Sequence, residues 1–252
     1  MILRRVMQHV KRQDWFAVLL DFVIVVAGVF LGTQVANWND ALQDRQRERA
    51  YLMSVAEDIR SDIVEIDEIV RVSGVRMSAL SFLIPAASGV ALPDRFPSAR
   101  GDIVVEPSAP FDEETHGSAG VAAFILTTLE GHRSAYDAMI STGGVALIRN
   151  GKVMRAIHDY YAAAATIRDF EDSLGASRTT LVEAQRLNGI SPVDQTPASA
   201  LAVVFAQDVA LAAAAKNYWL YTNRHIKLMG DLRAKAVAVI DEIDSEISRA
   251  TG

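Results

Sequence analysis

Hydrophobic positions follow two regimes along the chain. From Phe16 to Ala36 they are nearly continuous: FAVLLDFVIVVAGVFLGTQVA is 21 residues with one charge, Asp21. At 1.5 Å per residue such a helix covers about 30 Å, one hydrocarbon core. Trp15 and Trp38 bracket it where interfacial aromatic anchors sit. A cleaved signal peptide is the competing reading, because a basic stretch precedes the apolar one. Against it, Asp21 interrupts the would-be apolar region, and Gln34, two residues before Ala36, breaks the small-x-small cleavage pattern. An uncleaved transmembrane anchor over 15–38 is the expectation.

Elsewhere the apolar positions are periodic. In residues 1–14, Ile2, Leu3, Val6, Met7 and Val10 recur at helical spacing among Arg4, Arg5, Lys11 and Arg12, which predicts a basic amphipathic helix on a lipid surface. Beyond the span, Leu52, Val55, Ile59, Ile63, Ile66 and Val70 step by three or four. Val153, Ile157, Tyr160, Ala164, Ile167, Phe170 and Leu174 do the same, and Ile226, Met229, Leu232, Ala236, Ile240, Ile243 and Ile247 are spaced like coiled-coil heptads. Seams of this kind bury themselves only against one another. The pattern therefore predicts an all-α chain: one N-terminal transmembrane helix continuing into an antiparallel helical bundle over 39–252.

Turn chemistry sets the expected boundaries. The seven prolines, at 85, 93, 97, 107, 110, 192 and 197, leave three proline-free blocks for long helices. Ser73-Gly74 weakens the first helix and Pro85 stops it. Residues 85–118 form a long proline-containing loop, with a short strand at 102–106. Gly120–Glu130 reads as an apolar helix, and Ser134-Ala-Tyr-Asp137 as a capping box opening another that ends at Gly143-Gly144. Asn150 is the N-cap of a long helix that Gly175 bends and Asn188-Gly189 closes. A small-residue helix over 198–215 opens the last block.

Charge assigns sides to the membrane. The chain carries −6 overall; setting aside +3 in residues 1–14 and −1 at Asp21 leaves −8 for 37–252. Basic residues stay cytoplasmic, so the N-terminus is expected inside and the bulk beyond the membrane, in a bacterium the periplasm. The acidic balance argues against nucleic acid as a partner. The absence of cysteine excludes disulfides, thiol nucleophiles and Cys-ligated metals.

Within the span, Asp21, Val25, Gly28, Gly32 and Val35 fall on one helical stripe, and Gly28 and Gly32 form a GxxxG that lets two backbones approach in lipid. This stripe is the expected association face, for a homo-oligomer or a membrane-protein partner. Asp21 either supports that packing, is a protonatable site within an oligomer, or only reaches headgroup water. A pore lined by Asp21 and Gln34 is disfavoured, since they lie about 140° apart on the helix.

The segment from Asp21 to Asp40, with Gly28, Gln34 and Asn37-Trp38-Asn39-Asp40, resembles a bacterial single-span membrane family, domain-of-unknown-function family 6090. Tyr136-Asp137, Ser141, Leu147-Ile148 and Asn150, with Tyr160-Tyr161, are similar to a second region of that family. The resemblance implies topology and implies no chemistry.

No G-x-S-x-G, HExxH, P-loop or dinucleotide-binding glycine pattern occurs. Ser134, Asp137, His132 and His158 are the residue types of a triad, but Ser134 is more economically a helix cap. Asp112, Glu113, Glu114 and His116 lack metal-ligand spacing and read as solvated loop charge. Asp159-Tyr160-Tyr161 could line a pocket, though aromatics at helical spacing more often fill cores. No cofactor or metal is expected. The leading reading is a non-catalytic, membrane-tethered module for protein interaction or self-assembly; the alternative is an extracytoplasmic ligand-sensing or ligand-binding helical domain signalling through a partner.

Overall fold

The structure, a computed structural model, describes the backbone of residues 15–98 and 101–249 and the side chains of those from residue 19 onward. The expected basic helix with Arg4, Arg5, Lys11 and Arg12, and the Trp15 side chain, lie outside the described residues. The chain divides into two units, Met1–Ala50 and Tyr51–Gly252, and one 74-residue helix, α1 (Trp15–Ser88), runs from the first into the second.

In the first unit every residue from 19 to 40 is exposed. Leu20, Phe22, Ile24, Phe30 and Leu31 face outward on all sides of the helix, which suits a segment whose solvent is apolar. This helix is long and apolar enough to cross a membrane.

The second unit is built on three long helices: the part of α1 after Tyr51, α5 (Gly151–Leu187) and α7 (Val209–Arg249). Their pairing follows from side-chain bonds. Arg60 meets Asp244, Asp67 meets Arg233, Arg76 meets Thr222 and Ser81 meets Trp219, so α7 runs antiparallel to α1. Asn150, the N-cap of α5, meets Glu246, and Glu171 meets His225, so α7 is also antiparallel to α5. Consequently α1 and α5 are parallel, and the chain between them must return along the bundle.

That return carries a two-stranded antiparallel ladder, β1 (Arg95–Phe96) with β2 (Ile103–Val104). The short helices α2 (Glu113–His116), α3 (Ala119–Ala122) and α4 (Ser134–Ser141) follow, then a 3₁₀ turn at Gly144–Leu147. Helix α6 (Ala198–Gln207) packs against α3 and α7.

The expected boundaries shift where local rules meet other partners. Helix α1 runs unbroken through Ser73-Gly74 and past Pro85 to Ser88. Proline in the last turn removes only one rung of the ladder, and the helix ends where Gly89 turns to φ +67° with its N–H on the Pro85 carbonyl at 2.8 Å. Helix α5 is continuous through Gly175. The expected helix over 198–215 divides at Asp208, whose backbone is extended and whose side-chain carboxylate caps α7 by accepting the Leu211 N–H at 2.8 Å. The two pieces meet at 113°.

Two apolar clusters stack along the bundle. The first holds Leu52, Ile59, Ile66 and Ile69 of α1 against Ile157, Tyr160 and Ile167 of α5 and Met229, Leu232 and Ile243 of α7. The second holds Met77, Leu80 and Leu83 against Leu174 and Leu181, with Leu211, Tyr218, Trp219 and Phe205. Between them each long helix places polar side chains inward: Ser73 and Arg76, then Glu171, then Thr222 and His225, all buried.

Candidate functional site

The predicted helix at Gly120–Glu130 exists only as α3; residues 125–133 carry no regular structure. Irregular backbone pressed onto a core leaves N–H and C=O groups that must find partners. Here helix side chains supply them. Arg178 Nε donates to the Phe124 carbonyl at 2.7 Å, and Arg76 Nη1 and the Tyr218 hydroxyl donate to Ile125 O at 2.8 and 3.2 Å. Glu171 accepts the Leu129 N–H at 3.0 Å, and Glu65 accepts those of Glu130 and Gly131 at 2.6 and 3.1 Å. Asp62 takes the N–H of His132, and Asp58 that of Ala135 at 2.8 Å. Asp58, Asp62 and Glu65 step by four and three along α1, so one helix face presents three carboxylates to one strap of chain.

The buried layer at the middle of the bundle is one network. Arg76 is wholly buried and donates to Thr222 Oγ1 at 2.9 Å, Ser73 Oγ at 2.9 Å and Ile125 O, with its guanidinium 5.2 Å from the Tyr218 ring centroid. His225 sits between Ser73 Oγ (3.3 Å from Nδ1) and Glu171 Oε1 (2.8 Å from Nε2), with Arg76 Nη2 3.4 Å from Nδ1. An arginine can only donate, so Nδ1 must accept; the proton is assigned to Nε2 and is donated to Glu171. Burial lowers the His225 pKa, with Arg76 adding to the effect and Glu171 opposing it. Burial likewise lowers that of Arg76. Ser73, His225 and Glu171 thus have a triad's residue types, but all three are buried, and the serine oxygen already accepts from Arg76.

Beside the strap lies a third constellation. Asp62, buried at 1 % exposure, accepts from the Tyr160 hydroxyl at 2.7 Å and from His132 Nδ1 at 2.9 Å. The hydrogen bond to Asp62 raises the His132 pKa, and burial followed by that same carboxylate raises the Tyr160 pKa. Asp62, Glu65 and His132 have ligand atoms within 4.8 Å of one another, as a cation site would. Yet both oxygens of each carboxylate already accept hydrogen bonds, from Glu130 N, Gly131 N, His132 and Tyr160. The donor set fits a clamp on the strap better than a metal shell.

The residues singled out from the sequence do not converge. Ser134 Oγ lies 3.4 Å from Asp58, Asp137 pairs with Arg133, and His158 Nδ1 lies 3.3 Å from the Tyr136 hydroxyl. The capping box is not formed: Asp58 of α1 serves the start of α4 instead. Asp112 caps α2 through Glu114 N, and Glu113 accepts the Ala198 N–H at 2.7 Å. Tyr160 and Tyr161 are core, Tyr161 stacking on Tyr136 with ring centroids 4.3 Å apart. Asp21, Val25, Gly28, Gly32 and Val35 are all exposed, as is Trp38, and nothing lies within 4 Å of where a Cβ on either glycine would sit. The inward charges at Arg76, Glu171 and His225 were not recognised, although Arg76 stands three residues after Ser73 and seven after Ile69 on the seam.

Between the β-hairpin and helices α5 and α7 is a cleft of 690 Å³, within the range of small-molecule sites. Asn223 of α7 holds its rim in place, accepting from Glu106 N at 2.7 Å and donating to Val104 O at 3.1 Å. No protein-family model, curated protein or solved structure matches the chain.

Proposed function

We propose that the chain is a single-pass membrane protein whose helical head acts by binding and not by catalysis. Asp21 to Val35 would supply a lateral contact to a second copy or another membrane protein. The N-terminus would be cytoplasmic and the head would lie in the periplasm, as charge bias and the resemblance of residues 21–40 to family 6090 suggest. The observation that carries the non-catalytic reading is where the polar side chains go. Asp58, Asp62, Glu65, Arg76, Glu171 and His225, which elsewhere could do acid–base work, are committed to holding the strap or to one another. A specific feature favours a second reading, that the head binds a small ligand: the cleft beside the hairpin.

Membrane fractionation tests the first reading. The full chain should resist alkaline carbonate, and protease added to spheroplasts should remove the head. Release by carbonate, or cleavage only from the cytosolic side, refutes it. Crosslinking in native membranes tests the lateral contact: Gly28→Leu with Gly32→Leu should abolish the crosslinked species, and its survival would remove the stripe as the interface.

A further inference from the structure

The cleft has two unlike walls. The hairpin side contributes Asp102 and Glu106; the α7 side contributes Arg224 and Lys227; Phe170 and Tyr221 lie between. Phe170 and Tyr221 stack with centroids 5.7 Å apart and planes tilted by 29°, and both line the cleft. Lys227 is shared with Asp231 at 3.3 Å, but the side chains of Arg224, Asp102 and Glu106 and the Tyr221 hydroxyl take part in no hydrogen bond or ion pair among the described residues. Opposite charges therefore face one space without neutralising each other. A simple anion would meet Asp102 and Glu106, and a simple cation would meet Arg224 and Lys227. A molecule bearing both charges satisfies both walls.

We propose that this cleft binds a zwitterion of amino-acid or short-peptide size, its carboxylate on Arg224, its ammonium on Glu106 and Asp102, and an apolar side chain over Phe170 and Tyr221. Guanidinium suits the carboxylate because its fork matches two oxygens at once. The two rings supply the apolar contact that such sites use for affinity, leaving the charges to set orientation. The cleft also touches the bundle's interior, since Phe170 stacks on His225 with centroids 6.4 Å apart and precedes Glu171 in the chain. This proposal rests on the ligand-binding reading and is independent of the membrane topology, which carbonate extraction tests separately.

The test is calorimetric titration of the full chain in detergent with the dipeptide leucyl-phenylalanine, its N-acetyl and C-amide forms, and the twenty free amino acids. The free dipeptide or at least one amino acid should bind, and capping either end should weaken binding by about tenfold or more. Arg224→Gln should erase the preference for free carboxylate over amide while keeping that for free amine. Asp102→Asn with Glu106→Gln should do the reverse. These side chains make no internal bonds, so each variant should melt like the parent without ligand. Equal binding of capped and free forms, unchanged preferences in both variants, or no binding across the set up to about 10 mM overturns the proposal.

Discussion

Replacing Arg76 with methionine isolates what the buried layer contributes. Methionine has similar length and no charge, so the change removes donors without leaving a large void. Four acceptors lose Arg76: Thr222 Oγ1, Ser73 Oγ, Ile125 O and His225 Nδ1. Ile125 O retains the Tyr218 hydroxyl, and Glu171 retains His225 and Leu129 N, so few polar atoms are fully orphaned. What is lost is the cation across the His225 ring from a carboxylate that is only 6 % exposed. Removing one member of a buried charge set costs about 3–5 kcal/mol. For a chain of this size that lowers the melting midpoint by about 6–20 °C. Arg60 is the control: its pair with Asp244 at 3.0 Å is on the surface, and Arg60→Met should cost under about 1 kcal/mol. Urea unfolding of the full chain in detergent, followed by far- and near-ultraviolet circular dichroism, reads both. If Arg76→Met costs no more than Arg60→Met, the layer is not a stabilising network and the reasoning fails.

Two further expectations concern backbone and protonation. A Cβ on Gly144 would sit 2.7 Å from Tyr51 Cε2, in a ring whose hydroxyl is tied to Thr142 at 2.8 Å, so Gly144→Ala should destabilise by about 1–3 kcal/mol; Gly175→Ala, with nothing within 4 Å, should stabilise by about 0.5–1 kcal/mol. Thermal melts check both, and a neutral Gly144→Ala would refute the close approach. The two histidines should give opposite pH signatures. His225 has a lowered pKa, so its unfolded form binds more protons and its contribution to stability disappears as pH falls below about 6.5; His132 has a raised pKa, so its contribution is full below about 6.5 and disappears as pH rises through its folded value. His225→Gln should flatten the acid limb of stability against pH and His132→Gln the limb above about 6.5; exchange of these assignments would refute the hydrogen-bond pattern.

The long helices were legible because burial repeats every three or four residues over several turns in Leu52–Val70, Val153–Leu174 and Met229–Ile243, and no local signal competes with so long a pattern. The apolar run at 16–36 was legible for a different reason, length without charge. The strap was not. Gly120–Glu130 has a helix-forming composition, and what keeps it irregular is held by Arg76, Glu171, Arg178 and Glu65, none nearby in sequence. The capping box failed likewise, because Asp58 reached the start of α4 first. Asn150, by contrast, caps α5 as expected, its side chain accepting from Lys152 N at 3.0 Å, since that bond needs nothing beyond two residues. Local capping chemistry was readable where no distant side chain competed for the same backbone group, whereas the helix-breaking signals at Ser73-Gly74, Pro85 and Gly175 were outweighed by the continuous apolar seams they interrupt.

The same contrast explains why charges belong inside this bundle. Three helices with continuous apolar seams can slide by a turn and still bury hydrophobic side chains, because neighbouring layers look alike. A slip of one turn displaces a helix by about 5.4 Å. That separates Glu171 from His225, now 2.8 Å apart, and Arg76 from Thr222, now 2.9 Å apart, leaving buried charges without partners. Only one register satisfies all three helices, and only that register places Glu171 and Arg76 where Leu129 N and Ile125 O of the strap need them. The polar layer thus selects the alignment, and the strap in turn covers the layer. Arg76→Met should therefore erode near-ultraviolet ellipticity, which senses fixed packing, at lower urea than it erodes helix content; simultaneous loss of both would mean that the apolar seams alone set the register.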